Sequence, residues 1–311
     1  MATALTRRNF LSFDFGDRRR DSTHWVRVHR VAMSCRFEVM LASDDAVDMT
    51  AARAALDEAD ELEGLFTVAR ESSEAADLNR RAAEGPVAVS PILFDLLSRC
   101  VELHAATGGA FDVTSGAGMA HVHLDPATRS VRFAARDVDL TFGAIEKGFT
   151  LDRMGVVLRA NGSARALLSA GRGTVLALGG RGRGWPVDLR PRLGSRRVGR
   201  LWLRNAAVGT SGPAETMAGV GARGSGLADD PGPGDPAHAV LGASVITKDA
   251  ASADALSAAF LTGGPDLARD YCATHADTLA ILALGRPAER TEVFGRCAGA
   301  TLEMLAETTG C

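Results

Sequence analysis

The chain has 311 residues, of which 46% are hydrophobic and 23% are charged, a composition typical of a soluble globular protein with a large core. The formal net charge of -3 excludes a generally basic surface, so it favours no nucleic-acid partner. The five cysteines form no CxxC pair, which excludes a zinc ribbon and favours reduced, mostly buried thiols. We also predict no transmembrane segment, because no apolar run is long enough.

The N-terminal region is predicted to be a polar, disordered leader over residues 1–25, followed by a single domain over 26–311. Residues 6–11 (TRRNFL) are similar to a twin-arginine export motif. An export signal needs an apolar stretch after the arginines, whereas charged residues follow here. We therefore expect a cytoplasmic protein, with export as the alternative.

The first half of the chain contains alternating patterns followed by helical ones. Alternation of apolar and polar residues predicts strands at 26–31 and 37–41. Apolar residues at helical spacing predict a helix over 48–65. A second helix, over 91–106, has a serine N-cap, a proline in its first position and a glycine stop. Short strands with an Asp125-Pro126 turn are predicted within 121–142.

The second half mixes strands and helices without strict βαβ alternation, which predicts an α+β fold of mixed sheets packed with helices. A Gly- and Pro-rich stretch without periodicity predicts a long loop over 213–238. The predicted helices are 146–161, 252–262 and 265–275. The predicted strands are 164–169, 174–178, 185–189, 201–203, 240–246 and 278–284.

The segment GGAFD, at 108–112, follows the predicted end of the second helix. Two glycines allow a backbone to pass close to a ligand, and an aromatic residue beside a carboxylate suits stacking and hydrogen bonding of a ring. A helix stop followed by a strand would give the same pattern, so the segment alone does not separate the two interpretations.

The segment GAIEKG, at 143–148, leads into a predicted helix. A helix start framed by glycines is a possible anion site, and Lys147 would neutralise a phosphate there. The segment does not fit the Walker or dinucleotide patterns. Simple helix capping is the alternative.

Two oxygen-bearing residues lie three positions apart near the start of a later helix. Asp254 and Ser257 therefore share a helix face and could offer oxygens to a hard cation. An acidic first turn favoured by the helix dipole is the alternative.

Alternating histidines suggest a different enzyme class. His121, His123 and Asp125 resemble the start of an HxHxDH metallohydrolase motif, but Pro126 stands where the motif needs its last histidine. An exposed strand edge is the other interpretation of the same residues.

In their order along the chain, these segments resemble the FAD:protein FMN transferase (ApbE) family. The family's motifs correspond to segments from about residue 27 to about 265. The matching segments are MSCRFEV at 33–39, LE at 62–63, SE at 73–74, LN at 78–79, TGGAFD at 107–112, GAIEKGFTLDR at 143–153, SAGRG at 169–173, TSG at 210–212 and ADALSAAF at 253–260.

The resemblance implies Mg-dependent transfer of FMN from FAD to a threonine or serine hydroxyl of a target flavoprotein, with release of AMP. It implies FAD as the substrate and Mg²⁺ as the metal. Asp254 and Lys147 would be catalytic. The implied FAD contacts are Met33, Ala110, Phe111, Asp112, Thr141, Lys147 and Ala228. The implied metal ligands are the Ala144 carbonyl, the Asp254 carboxylate and Ser257.

The chain departs from the family's pattern at several site positions. Thr141 replaces an aspartate, and Ala258 replaces a threonine, which leaves Ser257 as the only nearby hydroxyl in the sequence. The HIIDPRTG motif aligns with residues 227–234, so Ala228 lies within it and the proton-transferring histidine is lost. A second hypothesis is therefore a catalytically impaired member that binds or carries FAD.

Overall fold

The computed structural model describes residues 11–12, 25–42, 46–180, 182–190, 197–212, 240–285 and 290–305. Apart from Leu11–Ser12 and Trp25, the predicted leader lies outside the described residues, and so does the predicted loop over 213–238. Five helices are described: α1 Ala46–Phe66, α2 Glu74–Arg81, α3 Pro91–Ala106, α4 Glu146–Ala160 and α5 Ala250–Thr274.

The described strands, in chain order, are β1 Leu11–Ser12, β2 Trp25–Ala32, β3 Cys35–Ala42, β4 Val87–Ala88, β5 Thr114–Gly116, β6 Val122–Asp125, β7 Ser130–Phe133, β8 Val138–Leu140, β9 Ala166–Ala170, β10 Thr174–Leu178, β11 Trp185–Leu189, β12 Gly199–Leu203, β13 Ala206–Ser211, β14 Val240–Thr247, β15 Leu279–Leu284, β16 Arg290–Gly295 and β17 Ala300–Met304. They confirm the α+β prediction of mixed sheets packed with helices.

The central element is an eight-stranded antiparallel sheet with the order β16-β15-β14-β13-β10-β9-β3-β2. A four-stranded sheet has the order β1-β11-β12-β17, and two smaller sheets have the orders β4-β7-β6 and β5-β8. Each of the predicted strands is found, although their ends shift by a few residues.

The central sheet is covered on both faces, which explains why all five residues of β9 are buried. Successive side chains of a strand point to opposite faces. Leu168 accordingly packs with the buried side chains of α1 and α4, while Leu167 packs with those of the four-stranded sheet. A third buried cluster lies among α2, α3 and α5.

Local signals in the sequence explain where the helices begin and end. The Ser90 hydroxyl accepts the Leu93 N–H at 3.2 Å, and Pro91 occupies the first position of α3 as predicted. Gly108 follows with a φ of 59°, which suits a helix stop. The two predicted C-terminal helices correspond to the two parts of α5, which are separated by a break at Gly264, where φ is 78°, directly before Pro265.

The described cysteines are free thiols; Cys100 and Cys297 are buried, and Cys35 and Cys272 are half-buried. In the described part of the chain, no helix has both the length and the apolar character that crossing a bilayer requires.

Candidate functional site

The N-termini of α4 and α5 cap each other. Asp254, in the second turn of α5, accepts the Gly148 N–H of α4 at 2.7 Å. Asp152, from α4, accepts the N–H groups of Ala250 and Ala251 at 2.8 and 2.9 Å. The first N–H groups of a helix lack intrahelical acceptors and carry the positive end of the dipole. Each helix thus provides the carboxylate that satisfies the start of the other.

Glycine permits this close approach. A Cβ built on Gly148 would lie only 2.1 Å from the Ala250 carbonyl oxygen. Gly209 has the same role on β13, since its Cβ would lie 2.4 Å from the Ala253 carbonyl carbon. The glycine that closes the GAIEKG segment is therefore needed for the packing of α4 on α5.

The Asp254 carboxylate is buried and held at both oxygens. Its other oxygen accepts the hydroxyl of Thr174 at 2.6 Å. Burial raises the pKa of Asp254 to about 6, whereas the charge of Lys147 and the two hydrogen bonds lower it. An ionised carboxylate has about four acceptor sites, so two hydrogen bonds leave lone pairs for a cation.

Ser257 lies beside Asp254 but is already engaged. Its hydroxyl donates to the Asp254 backbone carbonyl at 2.8 Å and lies 2.7 Å from the Ser211 hydroxyl. The fold also brings hydroxyls from distant parts of the sequence to this place, because Thr174 contacts the carboxylate directly and Ser211, in the TSG segment, contacts Ser257. No pattern in the sequence singled out Thr174.

Lys147 lies within electrostatic reach of Asp254. Its ammonium donates to the Gly143 carbonyl at 3.0 Å. Its charge also acts on Cys35, where burial raises the thiol pKa to about 12 and Lys147 opposes that rise. The described structure thus brings the two predicted catalytic residues, Asp254 and Lys147, into one neighbourhood beside Cys35.

Met33 lies in the two-residue turn between β2 and β3. Both Met33 and Ser34 have positive φ, 49° and 56°, a conformation that non-glycine residues seldom adopt. The Met33 N–H donates to the Glu63 carboxylate at 2.9 Å, and its sulfur lies 3.6 Å from the Thr150 hydroxyl. These contacts fix the turn against α1 and α4, and positive φ at both positions is the geometry that a two-residue hairpin turn requires.

The GGAFD segment forms a tight loop after α3, but Phe111 does not present its ring to solvent. The Phe111 side chain is only 2% exposed and packs in the core, so the predicted ring stacking by Phe111 is wrong. Asp112 instead orders the loop: its carboxylate accepts the Thr114 N–H at 2.8 Å and the Thr114 hydroxyl at 2.6 Å. The imidazole of His104 lies 2.8 Å from the Phe111 carbonyl.

The loop adjoins the segment that leads into α4. The Thr141 N–H donates to the Val113 carbonyl at 2.7 Å. Half-buried Met33, Ala110 and Ala144 pack against the same buried cluster. These predicted site residues therefore all lie at the edge of the same hydrophobic cluster. Ala228 lies outside the described residues.

The histidine motif does not form a metal cluster. His121 belongs to a single 3-10 turn before β6, and Asp125 accepts hydrogen bonds from Ala127 and Thr128 in the following turn. Within the described ranges, no group of three or more His, Cys, Asp or Glu side chains could hold a metal. The metallohydrolase interpretation therefore gains no support.

A cavity of about 540 Å³ lies between α3, α4 and the start of α5, on the side of Asp152. None of the predicted site residues lines it. Its charged lining residues are Asp95, Glu102, Asp152 and Asp249 against Arg99, Arg153, Arg159 and Lys248.

The pH dependence of stability should reflect the burial of Asp152. Burial raises its pKa from 3.8 to about 7, against the two N–H donors, which lower it. The folded protein therefore holds the proton more tightly than the unfolded chain. The contribution to stability is complete below about pH 4 and is lost as pH rises through about 7.

Urea unfolding of the metal-free protein, in EDTA, measures this effect. The free energy of unfolding of the wild type minus that of Asp152→Asn should fall steadily as the pH rises from about 4 to about 7. A difference that does not change with pH would show that Asp152 has an ordinary pKa.

The chain is similar to known proteins over most of its length. The family model described as "ApbE family" matches residues 33–120 and 116–283. A curated FAD:protein FMN transferase of Klebsiella pneumoniae (strain 342) is 29% identical over 182 residues, 49% of this chain and 56% of the relative. One of Treponema pallidum (strain Nichols) is 29% identical over 149 residues, 38% of this chain and 41% of the relative. The chain spans about half the length of these curated relatives.

Solved structures share the fold. The ApbE protein of Thermotoga maritima has a TM-score of 0.71 at 21% identity, and the alignment covers 87% of this chain and 97% of that one. The flavin transferase ApbE of Vibrio cholerae has a TM-score of 0.72 at 17% identity, covering 88% and 97%. Because the family model covers well over half of the chain, the protein belongs to the ApbE family.

Proposed function

We propose that the protein is a flavin transferase that moves FMN from FAD to a threonine or serine hydroxyl of a target flavoprotein and releases AMP. The observation that carries the proposal is the buried Asp254 carboxylate, held by Gly148 and Thr174 beside Lys147. The names of the curated relatives support the same reaction.

FAD would lie along the loop 108–112 and the start of α4. Because the Phe111 ring is buried, Ala110 and Phe111 would contact FAD through their backbone, and Asp112 would keep the loop in shape. Met33 and Thr141 would complete the flavin side. The sequence also assigns Ala228 to this site, and that assignment stays a prediction.

The residues around Asp254 fit a magnesium ion. Protein-bound magnesium is usually held by one or two carboxylates together with substrate phosphates and water, so a cluster of acidic side chains is not required. Asp254 would provide its carboxylate, Ala144 its backbone carbonyl and Ser257 the remaining lone pair of its hydroxyl. The bound ion would polarise the FAD pyrophosphate.

Lys147 would supply the fixed positive charge. In the reaction the acceptor hydroxyl oxygen forms a bond to the FMN phosphorus, the P–O bond to the AMP phosphate breaks, and the hydroxyl proton is released. Negative charge accumulates on the phosphate oxygens, and a preorganised cation in a buried site offsets it. The ammonium is kept at the start of α4 by the Gly143 carbonyl.

A second candidate is a member that binds FAD without transferring FMN. Ala258 and Leu227 favour it, because they stand where the family's pattern has a threonine and the proton-transferring histidine. The two candidates share FAD binding and differ only in the formation of a covalent FMN adduct.

Mass spectrometry distinguishes the two candidates. The protein is incubated with FAD, Mg²⁺ and a peptide of the Asp-x-x-Ser/Thr-Gly-Ala-Thr type, and we expect an FMN adduct on the peptide. A peptide with alanine in place of its hydroxyl residues is the matched control. FAD binding, seen as a thermal shift, without any adduct would support the binding protein, and absence of any FAD shift would contradict both.

A further inference from the structure

Thr174 directly contacts the Asp254 carboxylate, although no pattern in the sequence indicated this residue. Its side chain is buried at the start of β10, and its hydroxyl donates to Asp254 Oδ1 at 2.6 Å. The Gly148 N–H donates to Oδ2 at 2.7 Å. The carboxylate therefore has one donor on each oxygen, and the two donors come from different elements, the strand β10 and the helix α4.

We propose that Thr174 is a positioning residue that fixes the plane of the Asp254 carboxylate, so that the free lone pairs point to the divalent cation of FMN transfer. The proposal rests on the proposed function. The terminal torsion of an aspartate is broad, so a carboxylate held at only one oxygen can rotate. A second donor on the other oxygen removes that freedom.

The backbone around Thr174 is rigid enough for this role. Thr174 pairs with Ala170 of β9 on one side and with Gly209 of β13 on the other, inside the central sheet. Its hydroxyl therefore has a fixed place relative to α5. Partners of a metal ligand that are not ligands themselves typically change metal affinity by about 10–100-fold when they are removed.

Ser257 cannot take over the same task. Its hydroxyl donates to the backbone carbonyl of Asp254, not to the carboxylate. It fixes the helix turn that carries Asp254, whereas Thr174 orients the charged group. Removing the Thr174 hydroxyl should thus weaken cation binding while the fold and FAD binding without metal persist.

The test compares Thr174→Val, which removes the hydroxyl at nearly constant volume, with Thr174→Ser, which keeps it. Thermal shift of the FAD-bound protein is measured over a Mg²⁺ titration. We expect the half-saturating Mg²⁺ concentration to rise at least about tenfold in Thr174→Val and to stay near the wild-type value in Thr174→Ser. Thr278→Val, at another buried threonine, is the matched control and should behave as wild type.

Thr174→Ala provides a second variant if the valine protein does not fold, and it should show the same loss of Mg²⁺ response. A wild-type Mg²⁺ response in folded Thr174→Val or Thr174→Ala would overturn the inference, as would an equal loss in Thr174→Ser. If the wild type transfers FMN but the variants give either of these contradicting results, only the positioning role of Thr174 is wrong and the proposed function stands. If the wild type shows neither an adduct nor a Mg²⁺ response, the proposed function fails and the inference with it.

Discussion

Replacing Asp254 by asparagine should leave the protein folded and slow FMN transfer at least about a hundredfold, because stabilisation of transition-state charge by a bound metal is worth several kcal/mol. The amide oxygen can accept the Gly148 N–H, and the Thr174 hydroxyl can turn to accept from the amide nitrogen. Hydrogen bonding is thus preserved while the charge is lost. Adduct formation is followed by mass spectrometry, and stability by urea unfolding.

Asp254→Ala should lose both the charge and the hydrogen bonds of the carboxylate. It leaves the buried Gly148 N–H and Thr174 hydroxyl without acceptors, at a cost of about 1–3 kcal/mol for each group. Asp266→Asn, on an exposed side of the same helix, is the control and should match the wild type. Unchanged transfer in Asp254→Asn would refute the assignment of Asp254 to the metal site.

Gly148→Ala is expected to lower the free energy of unfolding by about 3 kcal/mol or more, the upper end of overpacking costs. The added Cβ would lie 2.1 Å from the Ala250 carbonyl oxygen. The Cβ is bonded directly to the backbone of α4, and the oxygen belongs to the backbone of α5, so neither atom can move away without its helix. The change should also displace Asp254 from the start of α4 and reduce FMN transfer. Urea unfolding and the adduct assay measure the two effects.

Gly64→Ala is the matched control, because Gly64 is also a helical glycine. A Cβ at Gly64 would meet only the end of the Arg70 side chain, at 3.9 Å. Alanine is the better helix former by about 0.8–1 kcal/mol, so Gly64→Ala should be neutral or stabilising. If both variants had the same stability, the close approach of α4 and α5 at Gly148 would be wrong.

The elements with strong local signals were predicted from the sequence. For α3, the cap, the first-turn proline and the glycine stop are all adjacent in the chain, so no tertiary information is needed. The prediction missed α2, because a helix of only eight residues, three of them buried, is too short to establish a helical pattern in the sequence. It also missed β13, β16 and β17; the pairing of β16 with β15 stabilises a strand whose own residues are mostly half-buried.

The assignments of the site residues stay predictions. Asp254 and Lys147 were identified through family motifs, and the described structure brings them together. Thr174 was missed because it lies 80 positions from Asp254, and only the fold makes them neighbours. The stacking role of Phe111 was wrong because a ring next to a carboxylate in sequence can still point into the core.

The mutual capping of α4 and α5 has a consequence for how this part of the protein opens. Asp152 and Asp254 each lie in the second turn of their own helix and accept N–H groups from the first turn of the other, so separation of α4 from α5 breaks all of these hydrogen bonds together. Such a pair behaves as one cooperative unit in local unfolding. A ligand held by Asp254 would therefore protect the starts of two helices at once. Binding of a cation would raise the free energy of local unfolding of the helix pair, and local unfolding of the helix pair would weaken binding of the cation.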